Sequence, residues 1–251
     1  MAIEQVLREN VYLQIYSIGD LDEFFWPYTT WYAIEDDTGI NTIALLYSGQ
    51  SLPTLLALSE KPDRMRGLLE SIAHLLPPQF YAHLSPGVES VLSSDYQLEP
   101  HGEHLKMALL HRSAVEVCDC TDTCALGRDD IDEIVEFYKE CYPGNWFDPR
   151  MLETNQYFGI REKERLVSVA GIHVYSPEYK VAALGNIATA PSHRNKGYAR
   201  QATAKTCQSL LADVCHIGLN VKADNNTAIS CYKKLGFEVV ASYGEYMVQR
   251  T

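Results

Sequence analysis

The sequence predicts an α+β protein in which one plan, a mixed β-sheet with helices on both faces, is built twice in tandem. Three observations predict it. Apolar strand-like segments alternate with amphipathic helical ones, and the order strand, strand, strand, helix, strand occurs in each half. The length, 251 residues, suits two domains of ordinary size, expected at 1–112 and 113–251 with the junction at Arg112-Ser113. Hydrophobic residues make up 46% and charged residues 22%, enough apolar material for two cores in a soluble chain.

In the first half, strands are expected at 31–35, 41–48 and 52–58, rich in Tyr, Ile, Leu and Thr. Asp36-Asp37-Thr38-Gly39 and Ser48-Gly49-Gln50-Ser51 form the turns between them. Met65, Leu68, Leu69, Ile72, Leu75 and Leu76 recur at helical spacing, which predicts a helix over 63–76 stopped by Pro77-Pro78. A strand at 80–84, a short helix near 87–94 and a strand at 105–111 complete this half.

In the second half a strand is expected at about 115–123, followed by an amphipathic helix over 128–142 with Ile131, Ile134, Val135 and Tyr138 on one side. Pro143-Gly144 stops that helix, and a short helix follows at 148–155. Further strands are expected at 157–161, 166–175, 181–189, 216–221 and 238–248, with helices at 197–213 and 226–235.

Bulk properties narrow the function. The net charge is −12, divided as −9 over 1–112 and −3 over 113–251, so neither half has the basic surplus of a phosphate-backbone binder. No nucleic acid partner is expected. The longest apolar runs, such as Thr42–Tyr47, fall far short of the roughly 20 residues a bilayer span needs, and the first ten residues read as no secretory leader. A cytoplasmic protein without a membrane partner is expected. All seven cysteines lie in the second half and are expected as free thiols. Cys118, Cys120 and Cys124 do not have a zinc spacing; small half-buried thiols on a strand or loop are expected there, and no metal.

The most informative stretch is Gly185 to Arg200, GNIATAPSHRNKGYAR. It reads as a strand ending at Thr189, a break at Pro191, a polar turn, and a helix beginning around Gly197. Such a joint presents main-chain N–H groups at a helix N-terminus, where the helix dipole also favours negative charge. That makes a site for a diphosphate. Gly197 lets the backbone approach phosphates without a Cβ in the way, Ala199 is small, and Arg194, Lys196 and Arg200 add positive charge. Taken alone, R-x-x-G-x-A fits an ordinary strand–helix turn with surface bases equally well.

A second constellation runs from Asp224 to Phe237, DNNTAISCYKKLGF. Asp224 or Asn225 caps the start of a short helix, Gly236 supplies the left-handed residue after its end, and Phe237 folds back as the accompanying apolar contact. Asn225 and Tyr232 are seven residues apart, two helical turns, and so lie along one side. A ligand-facing phenol and a plain core tyrosine are the two readings of Tyr232.

R-x-x-G-x-A after a strand, then N-x-x-A-x-x-x-Y with Gly236-Phe237 some thirty residues on, resembles the GNAT superfamily of N-acetyltransferases. The resemblance covers about 115–251. It implies that the second half binds acetyl-CoA as cosubstrate and moves its acetyl group to a primary amine of a small molecule or peptide. It further implies that the strand before the turn splays from its neighbour, so that Ile187, Ala188 and Thr189 pair with the pantetheine arm. Backbone amides of Asn195, Lys196, Gly197, Tyr198, Ala199 and Arg200 then hold the pyrophosphate, Asn225 touches the cofactor arm, and Tyr232 protonates the departing thiolate. An N–H near Ala188 or Thr189 stabilises the oxyanion. Monomer and homodimer are both open.

One departure stands out. Some members of that family carry a glutamate base where this chain has Asn220, so the base is unassigned; His173, Glu245 and a chain of waters are the candidates. Cys231 adjoins Tyr232 but is turned about 100° around the helix, which removes it as a nucleophile. The first half is expected to be a degenerate copy that binds no CoA, because Ser59 to Gly67 lacks the spaced glycine motif and puts Glu60 and Asp63 where phosphate would sit. Its expected roles are a wall of the acceptor cleft, with Phe24 to Tyr28 as one lining, or a scaffold. Two alternatives differ from acetyl transfer: transfer of a longer acyl group, as in glycine-type N-acyltransferases, and a catalytically silent CoA-binding regulatory module.

Overall fold

The computed structural model describes residues 2–37 and 39–251. Its elements, in chain order, are α1 (Ala2–Leu7), α2 (Ile15–Gly19), β1 (Thr29–Asp36), β2 (Gly39–Tyr47), β3 (Thr54–Ala57), α3 (Pro62–Ile72), β4 (Gln79–Leu84), α4 (Glu89–Leu92) and β5 (Tyr96–Leu109). They continue with α5 (Ser113–Glu116), β6 (Thr123–Ala125), α6 (Ile131–Cys141), β7 (Phe158–Glu162), β8 (Arg165–Ser176), β9 (Val181–Thr189), α7 (Tyr198–Leu210), β10 (His216–Lys222), α8 (Asn226–Lys234) and β11 (Phe237–Arg250). The fold is mixed α+β, as the sequence predicts. The expected first hairpin turn includes Thr38, which lies outside the described residues.

The chain divides into two compact units, and not at one point. One unit takes the chain up to Lys106 together with Val221–Asn225 and Val239–Thr251; the other takes Met107–Asn220 and Asn226–Glu238. The linear division at 112/113 therefore differs from the one the contacts make, because β10 and β11 each pass from one unit into the other.

The strand pairings repeat between the units. In the first, β1 pairs β2 and β2 pairs β3 antiparallel, and β3 pairs β4 parallel. In the second, β7 pairs β8 and β8 pairs β9 antiparallel, and β9 pairs β10 parallel. Each parallel pair needs a crossover, which α3 supplies in one unit and α7 in the other. Met65, Leu68, Leu69 and Ile72 of α3 pack against Leu55, Ala57, Phe80, Ala82 and Leu84. Ala202, Ala204, Cys207 and Leu210 are buried on α7, whose small side chains let Thr206 Oγ1 reach the Ala170 carbonyl of β8 at 3.4 Å.

One expected strand is absent. Over 115–123, Val115 and Glu116 donate their amides to the Arg112 carbonyl, which forms the helical turn α5, and strand begins only at Thr123. Val115 is buried while Val117 is 82% exposed, so the two do not share a face as they would in a strand.

The other face of the first unit's sheet gathers polar groups over β4, β11 and β5. Alternate residues of β4, β11 and β5 bring Tyr81, His83, Tyr243, Glu245, His104 and Lys106 together. Tyr81 and Tyr243 donate to the Glu245 carboxylate at 2.5 and 2.7 Å, and His83 and His104 lie 3.4 and 3.5 Å from it. Lys106 is only 2% exposed, its ammonium 4.9 Å from the Tyr16 ring centroid and 5.2 Å from that of Tyr243. Desolvation lowers the Lys106 pKa to about 7, against a smaller upward pull from Glu245. Between that value and the unfolded lysine's, the unfolded chain binds the extra proton, so stability rises with pH. Denaturant titrations from pH 7 to 9 should show a rise of up to about 1.4 kcal/mol per pH unit. Lys106→Met should remove that slope.

Candidate coenzyme and acyl-transfer site

The site begins with an irregularity in β9. Val169 of β8 faces Ala188, yet Gly171 faces Gly185, so β9 carries one residue more than its partner over this stretch. Asn186 takes up the excess in the left-handed region at φ +54°. It is 3% exposed and tied on several sides: Tyr138 of α6 donates to its carbonyl at 2.6 Å, and its amide nitrogen donates to the Trp146 carbonyl at 3.2 Å and to Tyr157 Oη at 3.0 Å. A second irregularity follows at His173 of β8, whose ring lies so close over Gly185 that a Cβ there would meet it at 2.0 Å. Only glycine fits that approach.

A bulged strand bends, and β9 parts from its parallel neighbour. The pairing with β10 covers Val181 to Leu184 against His216 to Leu219, while the pairing with β8 runs on to Thr189. On the β8 side, Ala190 donates to the Val167 carbonyl, which fixes the alternation. Ala188 then stands in a hydrogen-bonded pair with Val169, and the N–H groups of Ile187 and Thr189 turn to the edge that β10 has left. Of the three strand positions expected to meet a pantetheine arm, Ile187 and Thr189 thus face the open edge, and Ala188 faces β8. Of the two amides expected as oxyanion donor, at Ala188 and Thr189, that of Thr189 is the one on the open edge.

The turn follows directly. A short 3-10 stretch spans Pro191–His193, Arg194 is extended, and Asn195 and Gly197 are left-handed at φ +65° and +88°. The first helical bond of α7 runs from the Gln201 N–H to the Gly197 carbonyl at 3.1 Å, so the amides of Tyr198, Ala199 and Arg200 lie before the first helical donor. Nothing in the protein lies within 4 Å of where a Gly197 Cβ would be. The glycine is required there by its backbone angle, and the space in front of it is open.

Glu162, at the end of β7, was not foreseen from the sequence. Lys196 Nζ is 3.1 Å and His193 Nε2 3.4 Å from its carboxylate, and the Tyr198 hydroxyl also donates to it. These partners, Tyr198 first, hold the Glu162 carboxyl below its ordinary pKa, so an ionised carboxylate stands beside the turn. No spacing in the sequence links Glu162 to residues more than thirty positions away.

Tyr232 lies on α8, buried, its ring 6.1 Å from that of Phe237. Gly236 is left-handed at φ +90° and Phe237 is 1% exposed, the helix ending expected. Burial first, then the neighbouring Cys231, Tyr142 and Cys207, raise the Tyr232 pKa, so the phenol keeps its proton at neutral pH. Burial also raises the Cys231 thiol, which agrees with its removal as a nucleophile. Asn225 directly precedes α8, its amide bonded to the Lys222 carbonyl at 2.9 Å. Asn220 sits on β10; Glu245 belongs to the other unit's polar face described above. Among the described residues, no group of three or more His, Cys, Asp or Glu is arranged to hold a metal ion.

The bulge makes one energetic claim. The Asn186 carbonyl is buried, so removing its phenol donor leaves it with one bond fewer away from water. Tyr138→Phe should lower the unfolding free energy by about 1–2 kcal/mol in chemical denaturation.

Comparison with known proteins accords with this geometry. Residues 131–237 match the family described as Acetyltransferase (GNAT) family. An uncharacterized protein of Mycobacterium leprae is 30% identical over 128 residues, which is 47% of this chain and 34% of that protein. The chain therefore spans about a third of the length of that curated relative. A solved structure from Drosophila aligns with TM-score 0.69 at 12% identity, over 88% of this chain and 79% of that one. A GCN5-related N-acetyltransferase from Sphaerobacter thermophilus aligns with TM-score 0.59 at 12% identity, over 99% and 91%. These two likenesses concern the fold. No described helix is long and apolar enough to cross a membrane. Over residues 131–237, then, the chain is similar to the GNAT acetyltransferase family.

Proposed function

We propose that this protein transfers the acetyl group of acetyl-CoA to a primary amine of a small molecule or peptide by direct attack in a ternary complex. The observation that carries this reading is the parting of β9 from β10, which leaves outward amides beside an open, left-handed turn at a helix N-terminus. A pantetheine arm is an amide-bearing chain, and the edge at Ile187 and Thr189 matches it as a missing strand would. The pyrophosphate takes the amides from Asn195 to Arg200, where the dipole of α7 adds to the attraction. Lys196 then exchanges Glu162 for phosphate.

In the reaction the neutral amine attacks the thioester carbonyl, the C–S bond breaks, and the sulfur leaves as thiolate. The Thr189 N–H meets the charge that develops on oxygen. Tyr232 supplies the proton that the sulfur takes up, a role that requires the protonated phenol its burial enforces. Asn220 offers no carboxylate, so the proton that the amine loses passes to solvent water, and Tyr232 regains its own from solvent. Holding amine and thioester in line supplies a large part of the acceleration. Room beside the thioester decides between acetyl and a longer acyl group, and turnover itself separates an enzyme from a silent CoA-binding module.

Two substitutions test the assignments. Tyr232→Phe should reduce thiol release from acetyl-CoA by about 10²-fold or more against a responsive amine, with coenzyme affinity unchanged. Equal rates would remove the acid role. Gly197→Glu meets open space but a strained backbone, so the folded protein should persist while calorimetry finds no coenzyme binding.

A further inference from the structure

Four of the seven cysteines lie close to one another beside α7, and nothing in the proposed reaction uses them. Cys118 and Cys120 lie in the irregular segment between α5 and β6, Cys207 on α7, and Cys231 on α8. The segment is curled: the Cys120 thiol reaches back to the Cys118 carbonyl at 3.4 Å and to the Gln201 carbonyl of α7 at 3.4 Å. Thr121 donates its amide and its hydroxyl to Asp119, and the Thr123 amide and hydroxyl bond the Cys120 carbonyl, which fixes the curl. Cys118 and Cys120 are both half-buried, whereas Cys207 is fully enclosed.

We propose that Cys118 and Cys120 form a dithiol modification site that low-molecular-weight disulfides oxidise to an intramolecular disulfide. The Cys118 thiolate attacks one sulfur of the reagent RS–SR, forms a mixed disulfide, and expels RS⁻. Cys120 gives its proton to solvent and attacks the Cys118 sulfur. The protein S–S bond forms, and the second RS⁻ leaves. Two protein thiols are oxidised, the reagent is reduced to two RSH, and the two protons pass from protein to reagent through solvent. A curl that already holds the Cys120 sulfur 3.4 Å from the Cys118 carbonyl favours the closing step over intermolecular pairing. The bridge withdraws the Cys120 sulfur from the Gln201 carbonyl.

Burial, the adjacent Cys118 and Asp119 push the Cys120 thiol up to about 11, against a smaller opposite effect of Lys205. Closure needs the Cys120 thiolate, so it slows and the mixed disulfide lives longer as pH falls.

The test is reaction of the reduced full chain with glutathione disulfide at mildly alkaline pH, followed by intact mass and peptide mapping. The expected product is lighter by two hydrogens, has lost two of seven titratable thiols, and carries a Cys118–Cys120 link that dithiothreitol reverses. Cys120→Ser should stop at one glutathione on residue 118, and Cys118→Ser should form no bridge. A link mapping to Cys207 or Cys231, or a wild-type chain that keeps all its thiols or only mixed adducts, overturns the proposal. The readout is independent of acyl transfer.

Discussion

The site depends on one constraint: a strand with one residue too many cannot stay paired with both neighbours. Asn186 absorbs the excess in β9, and the hydrogen bonds from Tyr138 and to Tyr157 and Trp146 hold it there, out of water. Because β8 keeps its hold to Thr189, the departure falls on the β10 side, where pairing stops at Leu184. The amides set free on that edge lead straight into the turn before α7. Strand edge and helix terminus are two sources of unpaired N–H groups, and the bulge aligns them in sequence.

The first unit makes the point by contrast. Its β3 occupies the equivalent place in the pairing pattern, but all four of its residues pair with β4. No edge opens, and α3 begins with Pro62, which brings no N–H, followed by Asp63. The same architecture without the bulge, the parting and the glycine has none of the features on which the coenzyme reading rests. Its polar investment lies elsewhere, in the carboxylate of Glu245 and its tyrosine and histidine partners.

Much of this was legible in the sequence because local punctuation fixed it. Pro191, Gly197 and Gly236 mark strand end, helix start and helix end within a residue or two, and β9 runs as expected from 181 to 189. Elements too short for periodicity were not legible: α1 and α2 have six and five residues. Neither was α5, a four-residue turn where a strand was expected. The bulge left only a faint trace, a Gly-Asn pair inside an apolar run. Glu162 left none, since its partners at 193, 196 and 198 reach it only through the fold.

The central claim is that the freed edge of β9 and the first amides of α7 receive one ligand between them. Amide hydrogen exchange with and without acetyl-CoA tests it directly. Protection should appear together at Ile187, Thr189 and Tyr198 to Arg200, with Ala188 unchanged because β8 already holds it. Protection confined to other segments, or at the turn alone with the strand edge unaffected, would contradict the account.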